Sequence, residues 1–220
     1  MKHKKIIKWK NLKLSKNIYT CPDQALFRFI SHLKFKIKKK KILDIGFLHG
    51  ANLIEFKKRG GDVYGVDINK YFVKKFKKIF SKGKIKEVDI SKNNINFNIK
   101  FDLIYCKDVI YYLSDSEISF FLKNIKKNLK NKGIFILQFI VQDFKKSRKK
   151  VNIEDIYTLR NYVNSKLFEE ENPVRFIKLN EMKLIIKKNN FKIMGSKTVI
   201  ESFGVNEEGL RMTKYLTLKK

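Results

Sequence analysis

Short apolar runs alternate with longer amphipathic stretches along most of the chain, and this alternation is the strongest constraint on its fold. The apolar runs have the length of buried strands, and the stretches between them have the 3.6-residue spacing of helices. Strands that are separated by helices in this way pair in parallel, with helices on both faces of the sheet. The pattern therefore predicts an α/β fold with a doubly wound, three-layer sheet.

Seven strands and six helices follow from this pattern. The strands are predicted over 41–46, 62–67, 84–89, 101–106, 133–140, 191–201 and 209–219. The helices are predicted over 22–35, 51–59, 70–80, 114–130, 152–168 and 180–189. No helix separates the last two strands, so we expect them to be antiparallel and the final strand to be reversed. The Asn-rich stretch 91–100 is predicted to lack regular structure.

The length of 220 residues predicts a single domain. Within it we expect an N-terminal helical extension over 1–40 and a ligand-binding half over 41–140. An insert or lid would then cover 141–179, and a helix with two strands would cover 180–220.

The chain shows no sign of a membrane span, a secretory signal or a disulfide framework. No stretch approaches 18 uncharged apolar residues, and the basic start over 1–10 lacks an apolar signal region. Cys21 and Cys106 are too few for a disulfide framework or a four-ligand zinc site. These features predict a cytoplasmic protein without a metal site.

The net charge of +30 has two explanations. A nucleic acid or an anionic membrane is the first partner that such a charge suggests. However, 45 of the basic residues are lysine and only 6 are arginine, whereas nucleic-acid surfaces favour arginine for bidentate contacts. Isoleucine and asparagine are also frequent, and there are only 2 alanines and 2 prolines. Lysine, isoleucine and asparagine have AT-rich codons, whereas alanine, proline and arginine have GC-rich ones. An AT-rich genome therefore explains this composition, and with it the net charge, without any ligand.

Acidic residues and glycines lie where the predicted parallel strands end, which is where open α/β sheets bind ligands. Gly46 and Gly50 allow a tight turn after the first strand, and Asp67 ends the second strand about 20 residues later. A carboxylate at this place can accept hydrogen bonds from the hydroxyls of a ribose. Asp89 ends the third strand and could accept from an exocyclic amine, with Ile90 against a base. Together these residues predict a nucleoside ligand.

The same strand ends give the chain its resemblance to a known family. It resembles the class I S-adenosylmethionine-dependent methyltransferases over roughly 41–220, in the segments ILDIGFLHGANLIEFKKRG, DVYGVDIN, KEVDIS, FDLIYCKDVIYYLSD and NIKKNLKNKGIFILQF. The resemblance implies a Rossmann-like sheet, methyl transfer as the activity and S-adenosyl-L-methionine as the cofactor. It also implies a set of cofactor-binding residues, namely Asp44, Gly46, Phe47, Gly50, Asp67, Ile68, Asp89, Ile90 and Cys106. The chain departs from the family at Leu48, where a further glycine is common.

Methyl transfer is an in-line displacement with a neutral leaving group, so positioning can supply most of the acceleration. A general base helps only for a hydroxyl or a protonated amine, and the candidates are His49, Asp108, Tyr111 and Asp143. The Asn/Asp-Pro-Pro-aromatic run of nucleic-acid amine methyltransferases is absent after the fourth strand. A lid built from the N-terminal helix and the insert would suit a small-molecule acceptor, such as a sugar, a lipid or another metabolite. Residues 19–29 resemble the lead-in of methyltransferases found with bacterial surface-sugar and lipid biosynthesis.

Three other functions stay open. An RNA methyltransferase on the same fold would cluster its lysines at the mouth of the site. A non-catalytic binding protein could have kept the fold and lost the cofactor through Leu48. A nicotinamide-dependent dehydrogenase would need a G-x-G-x-x-G turn, which the sequence from Gly46 to Gly50 does not supply.

Each candidate residue also has a structural explanation. Asp44 could cap a neighbouring loop, Cys106 could be a small buried residue, and Asp89 could be an ordinary surface acid. His49 could be a solvated loop residue, and Tyr111 could serve only in packing.

Overall fold

A computed structural model of the chain describes residues 21–141, 150–151, 162–163, 174–175, 177–203 and 209–219. The first half contains α1 (Gln24–His32), β1 (Lys41–Ile45), α2 (Ala51–Lys58), β2 (Asp62–Asp67), α3 (Lys70–Lys77), β3 (Ile85–Glu87) and β4 (Phe101–Lys107). A 3-10 turn (Ile110–Tyr112) precedes α4 (Asp115–Asn128) and β5 (Leu129–Ile140). The remainder contains β6 (Lys150–Val151), β7 (Tyr162–Val163), β8 (Val174–Arg175), α5 (Leu179–Lys188), β9 (Lys192–Phe203) and β10 (Gly209–Lys219).

The main sheet has seven strands in the order β3-β2-β1-β4-β5-β10-β9. Strands β1 to β5 pair in parallel, whereas β10 is antiparallel to both β5 and β9. This confirms the α/β, doubly wound, Rossmann-like sheet with a reversed last strand. The chain order reverses on either side of β1, because β2 and β4 are its two neighbours.

Each face of the sheet has its own apolar layer. Side chains of α1, α2 and α3 pack on one face, and Leu26, Leu53, Phe56 and Phe72 are buried there. The other face is covered by α4 and α5. The fully buried residues of α4 and of the position after it are Ile118, Phe121, Leu122, Ile125 and Leu129. Helices on both faces explain why β5 is apolar along most of its length.

Two predicted elements differ in the structure. The predicted helix over 152–168 lies mostly outside the described residues, and its described pair, Tyr162 and Val163, forms the short strand β7 between β6 and β8. The helix predicted to end at 130 ends at Asn128 instead. Leu129 continues the helical spacing of apolar residues, but it pairs with Phe101 and so begins β5. Pairing across the sheet therefore overrides the local pattern.

The segment between β3 and β4 lacks regular structure, as predicted, but α4 holds it in place. Asn124 accepts a hydrogen bond from the backbone N–H of Ile95 at 3.2 Å and donates one to the carbonyl of Asn93 at 3.1 Å. Asn128 donates to the carbonyl of Ile95 at 2.9 Å. Both side chains are buried, so these amides satisfy backbone groups that water cannot reach.

A capping box is present at the start of α4. The Ser114 hydroxyl accepts from the backbone N–H of Glu117, and the Glu117 carboxylate accepts from the backbone N–H of Ser114 at 2.8 Å. In the part of the chain that the structure describes, no helix is both long and apolar enough to cross a membrane. The cytoplasmic location and the division into four segments stay predictions.

Replacing Asn124 by alanine tests the attachment of this segment to α4. We expect Asn124→Ala to lower the free energy of unfolding by about 2 kcal/mol, because buried backbone groups lose their partners. Urea denaturation of both proteins measures this difference. Asn131→Ala serves as the control, since Asn131 is exposed on β5 and should change stability by less than about 0.5 kcal/mol. Equal effects of the two variants would contradict the assignment.

Candidate functional site

The candidate site lies at the carboxyl ends of β1, β2 and β4. The register places Ile45 of β1 beside Val66 of β2 on one side and beside Cys106 of β4 on the other. The turn that follows β1 therefore leaves the sheet between the ends of its two neighbours. This is the reversal of strand order at which open α/β sheets bind ligands.

The two glycines of this turn are required by close contacts within the protein. Gly46 and Gly50 have φ angles of +70° and +72°. A Cβ atom at Gly46 would lie 2.4 Å from Cγ2 of Val109, and one at Gly50 would lie 2.1 Å from the ring of Phe76. Larger residues would displace the loop after β4 or the helix α3. The glycines thus let the turn lie close against both.

Leu48 occupies the middle of the turn in a left-handed conformation, with φ at +46°. This conformation is the one that glycine adopts without strain, and it costs other residues on the order of 1 kcal/mol. The Leu48 side chain is half-buried against the layer formed by α1, α2 and α3. Leu48 therefore has the left-handed backbone conformation that the glycine common at this position in the family would adopt without strain.

The carboxylate of Asp67 ties the end of β2 to this turn. It accepts the backbone N–H of Leu48 at 2.7 Å through Oδ2 and that of Asn69 at 2.8 Å through Oδ1. The backbone N–H of Ile68 adds a third hydrogen bond. Only 6% of Asp67 is exposed, and this burial raises its pKa although the three N–H groups act in the opposite direction.

Asp44 lies near the end of β1, is 3% exposed and feels the charge of Asp67. Burial, and then the negative charge of Asp67, raise the pKa of Asp44 to about 7, while the Lys107 ammonium lowers it. Two buried carboxylates that repel each other favour a positive charge between or beside them. This edge of the sheet is therefore suited to a cationic ligand.

The residues that follow β3 have structural roles. Asp89 accepts hydrogen bonds through Oδ1 from the backbone N–H of Ser91 at 3.1 Å and from its hydroxyl at 2.7 Å. Ile90 is buried in the apolar layer under α4 and α5. Asp89 therefore shapes a local turn, and its predicted contact with an adenine stays a prediction, as does that of Ile90.

Two further predicted residues are packed inside the protein. The rings of Phe47 and Phe76 meet edge to face, with centroids 5.3 Å apart. Cys106 is fully buried, and this burial raises the pKa of its thiol well above the ordinary value. Ile68 is half-buried where the chain leaves β2. Their predicted contacts with a cofactor remain predictions.

The candidate bases are near the same edge but differ in their surroundings. Burial and then the charge of Lys75 lower the pKa of His49, which favours its neutral form. Asp108 has a φ of +54°, and its backbone N–H donates to Oε1 of Gln138 at 2.8 Å. Tyr111 is buried in a small cluster with Ile140. Asp143 lies outside the described residues.

Asp23, which no sequence pattern singled out for this site, joins α1 to this edge of the sheet. Its Oδ2 atom accepts from the Lys107 ammonium at 2.7 Å and from the Tyr215 hydroxyl at 2.8 Å. Its Oδ1 atom accepts the backbone N–H of Leu26 at 3.0 Å, so it also caps α1. The capping role was readable from an aspartate directly before an amphipathic run, but the two long-range partners were not.

No group of three or more histidine, cysteine, aspartate or glutamate side chains within the described ranges could hold a metal ion.

The backbone shape at Leu48 can be tested with two substitutions that both remove its side-chain packing. We expect Leu48→Gly to be more stable than Leu48→Ala by about 1 kcal/mol, because only glycine adopts a positive φ without strain. The control pair is at Leu184, which is exposed on α5. There the order should reverse by about 1 kcal/mol, because alanine favours helices. The same order at both positions would contradict the left-handed conformation.

Comparison with known proteins points to one kind of domain. A family profile described as a methyltransferase domain matches residues 43–137. Those residues include both carboxylates and both glycines of the turn. A search of curated proteins finds no matching sequence.

Solved structures of methyltransferases have the same fold at low sequence identity. A crystal structure of an S-adenosylmethionine-dependent methyltransferase from Clostridium acetobutylicum is 18% identical, with 88% of each chain covered and a TM-score of 0.61. One from Mesorhizobium loti is 13% identical, covers 89% of this chain and 98% of its own, and has a TM-score of 0.67. Magnesium protoporphyrin IX methyltransferase from Synechocystis PCC 6803, solved with bound S-adenosylhomocysteine, is 17% identical. It covers 90% of this chain and 82% of its own, with a TM-score of 0.57.

These findings confirm the resemblance that the sequence showed: residues 43–137 match a methyltransferase-domain profile, and the chain has the fold of the class I S-adenosylmethionine-dependent methyltransferases.

Proposed function

We propose that this chain transfers a methyl group from S-adenosylmethionine to a small-molecule acceptor. The observation that carries the proposal is the pair of buried carboxylates, Asp44 and Asp67, beside the glycine turn at the end of β1. A cationic ligand there would relieve the repulsion that raises the pKa of Asp44. The cofactor carries a sulfonium and an ammonium, so its charge fits this edge of the sheet.

Each of these residues would contact a different part of the cofactor, as the family resemblance implies. Asp67 would accept from the ribose hydroxyls, since a carboxylate has about four lone-pair sites and three backbone N–H groups occupy three of them. The turn from Gly46 to Gly50 and Asp44 would lie along the methionine part. Asp89 and Ile90 would lie towards the adenine.

Catalysis would rest on position more than on proton transfer. When bound, S-adenosylmethionine supplies an electrophilic methyl group on a neutral leaving group. The protein would then need to hold the acceptor in line with that methyl group and to exclude water, which is where most of the acceleration arises. His49 is the candidate base that could accept a proton near neutral pH, since its environment favours the neutral imidazole.

The distribution of lysines favours a small acceptor over RNA. Exposed lysines lie on the helices of both faces, at positions that include Lys57, Lys58, Lys74, Lys75, Lys123, Lys127, Lys183 and Lys187. A cavity of about 440 Å³ that is lined by Lys39, Lys57 and Lys84 is also basic, but it opens beside Asp62 at the amino end of β2. A surface selected for RNA would concentrate its charge around the carboxyl ends, near the reacting methyl group.

Calorimetric titration with S-adenosylmethionine and S-adenosylhomocysteine tests the proposed cofactor. We expect binding to the unmodified protein and a loss of at least about tenfold in Asp67→Asn, because a charged acceptor for the ribose is removed. Asp62→Asn is the matched control, since Asp62 begins the same strand that Asp67 ends. About 300 mM salt suppresses non-specific polyanion effects of the +30 charge.

Two results would change the proposed function. Failure of the folded, unmodified protein to bind either ligand would favour a non-catalytic binding protein. Methylation of RNA but not of small molecules at the same salt concentration would favour the RNA methyltransferase.

The pKa of Asp44 makes cofactor binding dependent on pH. S-adenosylmethionine carries one positive charge more than S-adenosylhomocysteine. As the pH rises from 6 to 8, Asp44 passes through its pKa of about 7 and becomes negative. We therefore expect the affinity ratio of the two ligands to rise by about threefold in favour of S-adenosylmethionine. Asp44→Asn should make the ratio independent of pH, and a constant ratio in the unmodified protein would disprove this role of Asp44.

A further inference from the structure

The carboxylate of Asp23 has more partners than a helix cap requires. Capping of α1 uses only Oδ1, which accepts the backbone N–H of Leu26. The second oxygen, Oδ2, accepts from the Lys107 ammonium and the Tyr215 hydroxyl, with the hydroxyl of Tyr105 at 3.4 Å. The Asp23 side chain is 7% exposed, and burial alone would raise its pKa. The charge and hydrogen bond of Lys107 instead hold the pKa of Asp23 below its ordinary value.

Asp23 is also fixed from the backbone side. Its N–H donates to Oδ1 of Asn52 at 2.8 Å, and Asn52 belongs to the first turn of α2, directly after the glycine turn. Both carboxylate oxygens and the backbone of this one residue are therefore held by α1, α2, β4 and β10. A carboxylate that is fixed in this way holds the ammonium bound to it within a narrow range of positions.

Lys107, the partner, projects at the edge where the cofactor would lie. It is the last residue of β4 and follows Cys106, and it lowers the pKa of Asp44 at the end of β1. Its side chain is 34% exposed, and its ammonium lies 2.7 Å from Oδ2 of Asp23. The other ionisable groups at these two strand ends are Asp44 and Asp108, which are acids, and His49, whose pKa is lowered. Within residues 44–50 and 106–109, Lys107 is the one lysine or arginine, whereas Lys75, whose charge acts on His49, belongs to α3.

We propose that Asp23 is a positioning residue that holds the Lys107 ammonium at the amino-acid end of the cofactor site, where it pairs with the ligand's carboxylate. This inference rests on the proposed function and names the groups that recognise one part of the cofactor. The amino-acid part carries a carboxylate and an ammonium. Lys107 matches the first, and the deprotonated Asp44 matches the second.

Two ligands separate this role from a structural one. S-adenosylhomocysteine contains the amino-acid part, whereas 5′-methylthioadenosine has the adenine, the ribose and the sulfur without it. We expect Lys107→Met to lower the affinity for S-adenosylhomocysteine by about tenfold, the value of one charge-assisted hydrogen bond. Affinity for 5′-methylthioadenosine should change by less than about twofold. Lys107→Arg should restore part of the loss, because it keeps the charge.

Asp23→Asn tests the positioning itself. The amide oxygen can still cap α1, but the charge that restrains Lys107 is gone. We expect a loss of about threefold to tenfold for S-adenosylhomocysteine and none for 5′-methylthioadenosine. Asp102→Asn is the matched control at the amino end of β4. Asp102 likewise accepts a backbone N–H, from Lys41 at 2.9 Å, and an ammonium, from Lys130 at 2.9 Å.

The outcomes are distinct. Equal weakening of both ligands in Asp23→Asn would show a structural role only and overturn the inference. Tighter binding of S-adenosylhomocysteine would mean that the charge of Asp23 merely opposes the ligand, and would overturn it as well. An unchanged affinity in Lys107→Met would exclude Lys107 from the site while leaving the proposed function intact. Absence of binding of both ligands to the unmodified protein would instead overturn the proposed function.

Discussion

The parallel pairing of β1 with both β2 and β4 is the constraint on which the rest of the structure depends. It brings the carboxyl ends of three strands to one edge, and the register sets Ile45 level with Val66 and Cys106. The turn after β1 then has no route except between its two neighbours. Two acids that are separated by more than 20 positions in the chain, Asp44 and Asp67, are thereby buried at the same edge, where the charge of Asp67 acts on Asp44.

Burying these carboxylates costs free energy, and the structure compensates the two unequally. Asp67 accepts hydrogen bonds from three backbone N–H groups, whereas the charge of Lys107 stabilises the ionised form of Asp44. The left-handed backbone of Leu48 and Asp108 adds strain at the same edge. Strain and shifted pKa values concentrate where a fold serves a ligand at some expense to stability. Their coincidence at one edge agrees with the position of the proposed cofactor site.

The cluster around Asp23 links that edge to the ends of the chain. Tyr215 is 192 residues away from Asp23 in sequence, and Lys107 is 84 residues away. The Asp23 carboxylate therefore links α1 to β4 and to the reversed strand β10. The lysine-rich composition conceals this cluster, because one functional ammonium among 45 lysines has no distinguishing sequence pattern.

Sequence patterns predicted the alternation of strands and helices, the reversed last strand and the acids at the strand ends. Those features depend on periodicity and on residues a few positions apart, such as Ser114 and Glu117 in the capping box. Local spacing was not enough for Leu129, which continues the helical spacing but begins β5 by pairing with Phe101. Tertiary structure set that pairing, the contact of Asp67 with Leu48 and the long-range partners of Asp23. These contacts join atoms that are far apart in the sequence and that packing brings together, and packing depends on the whole chain at once.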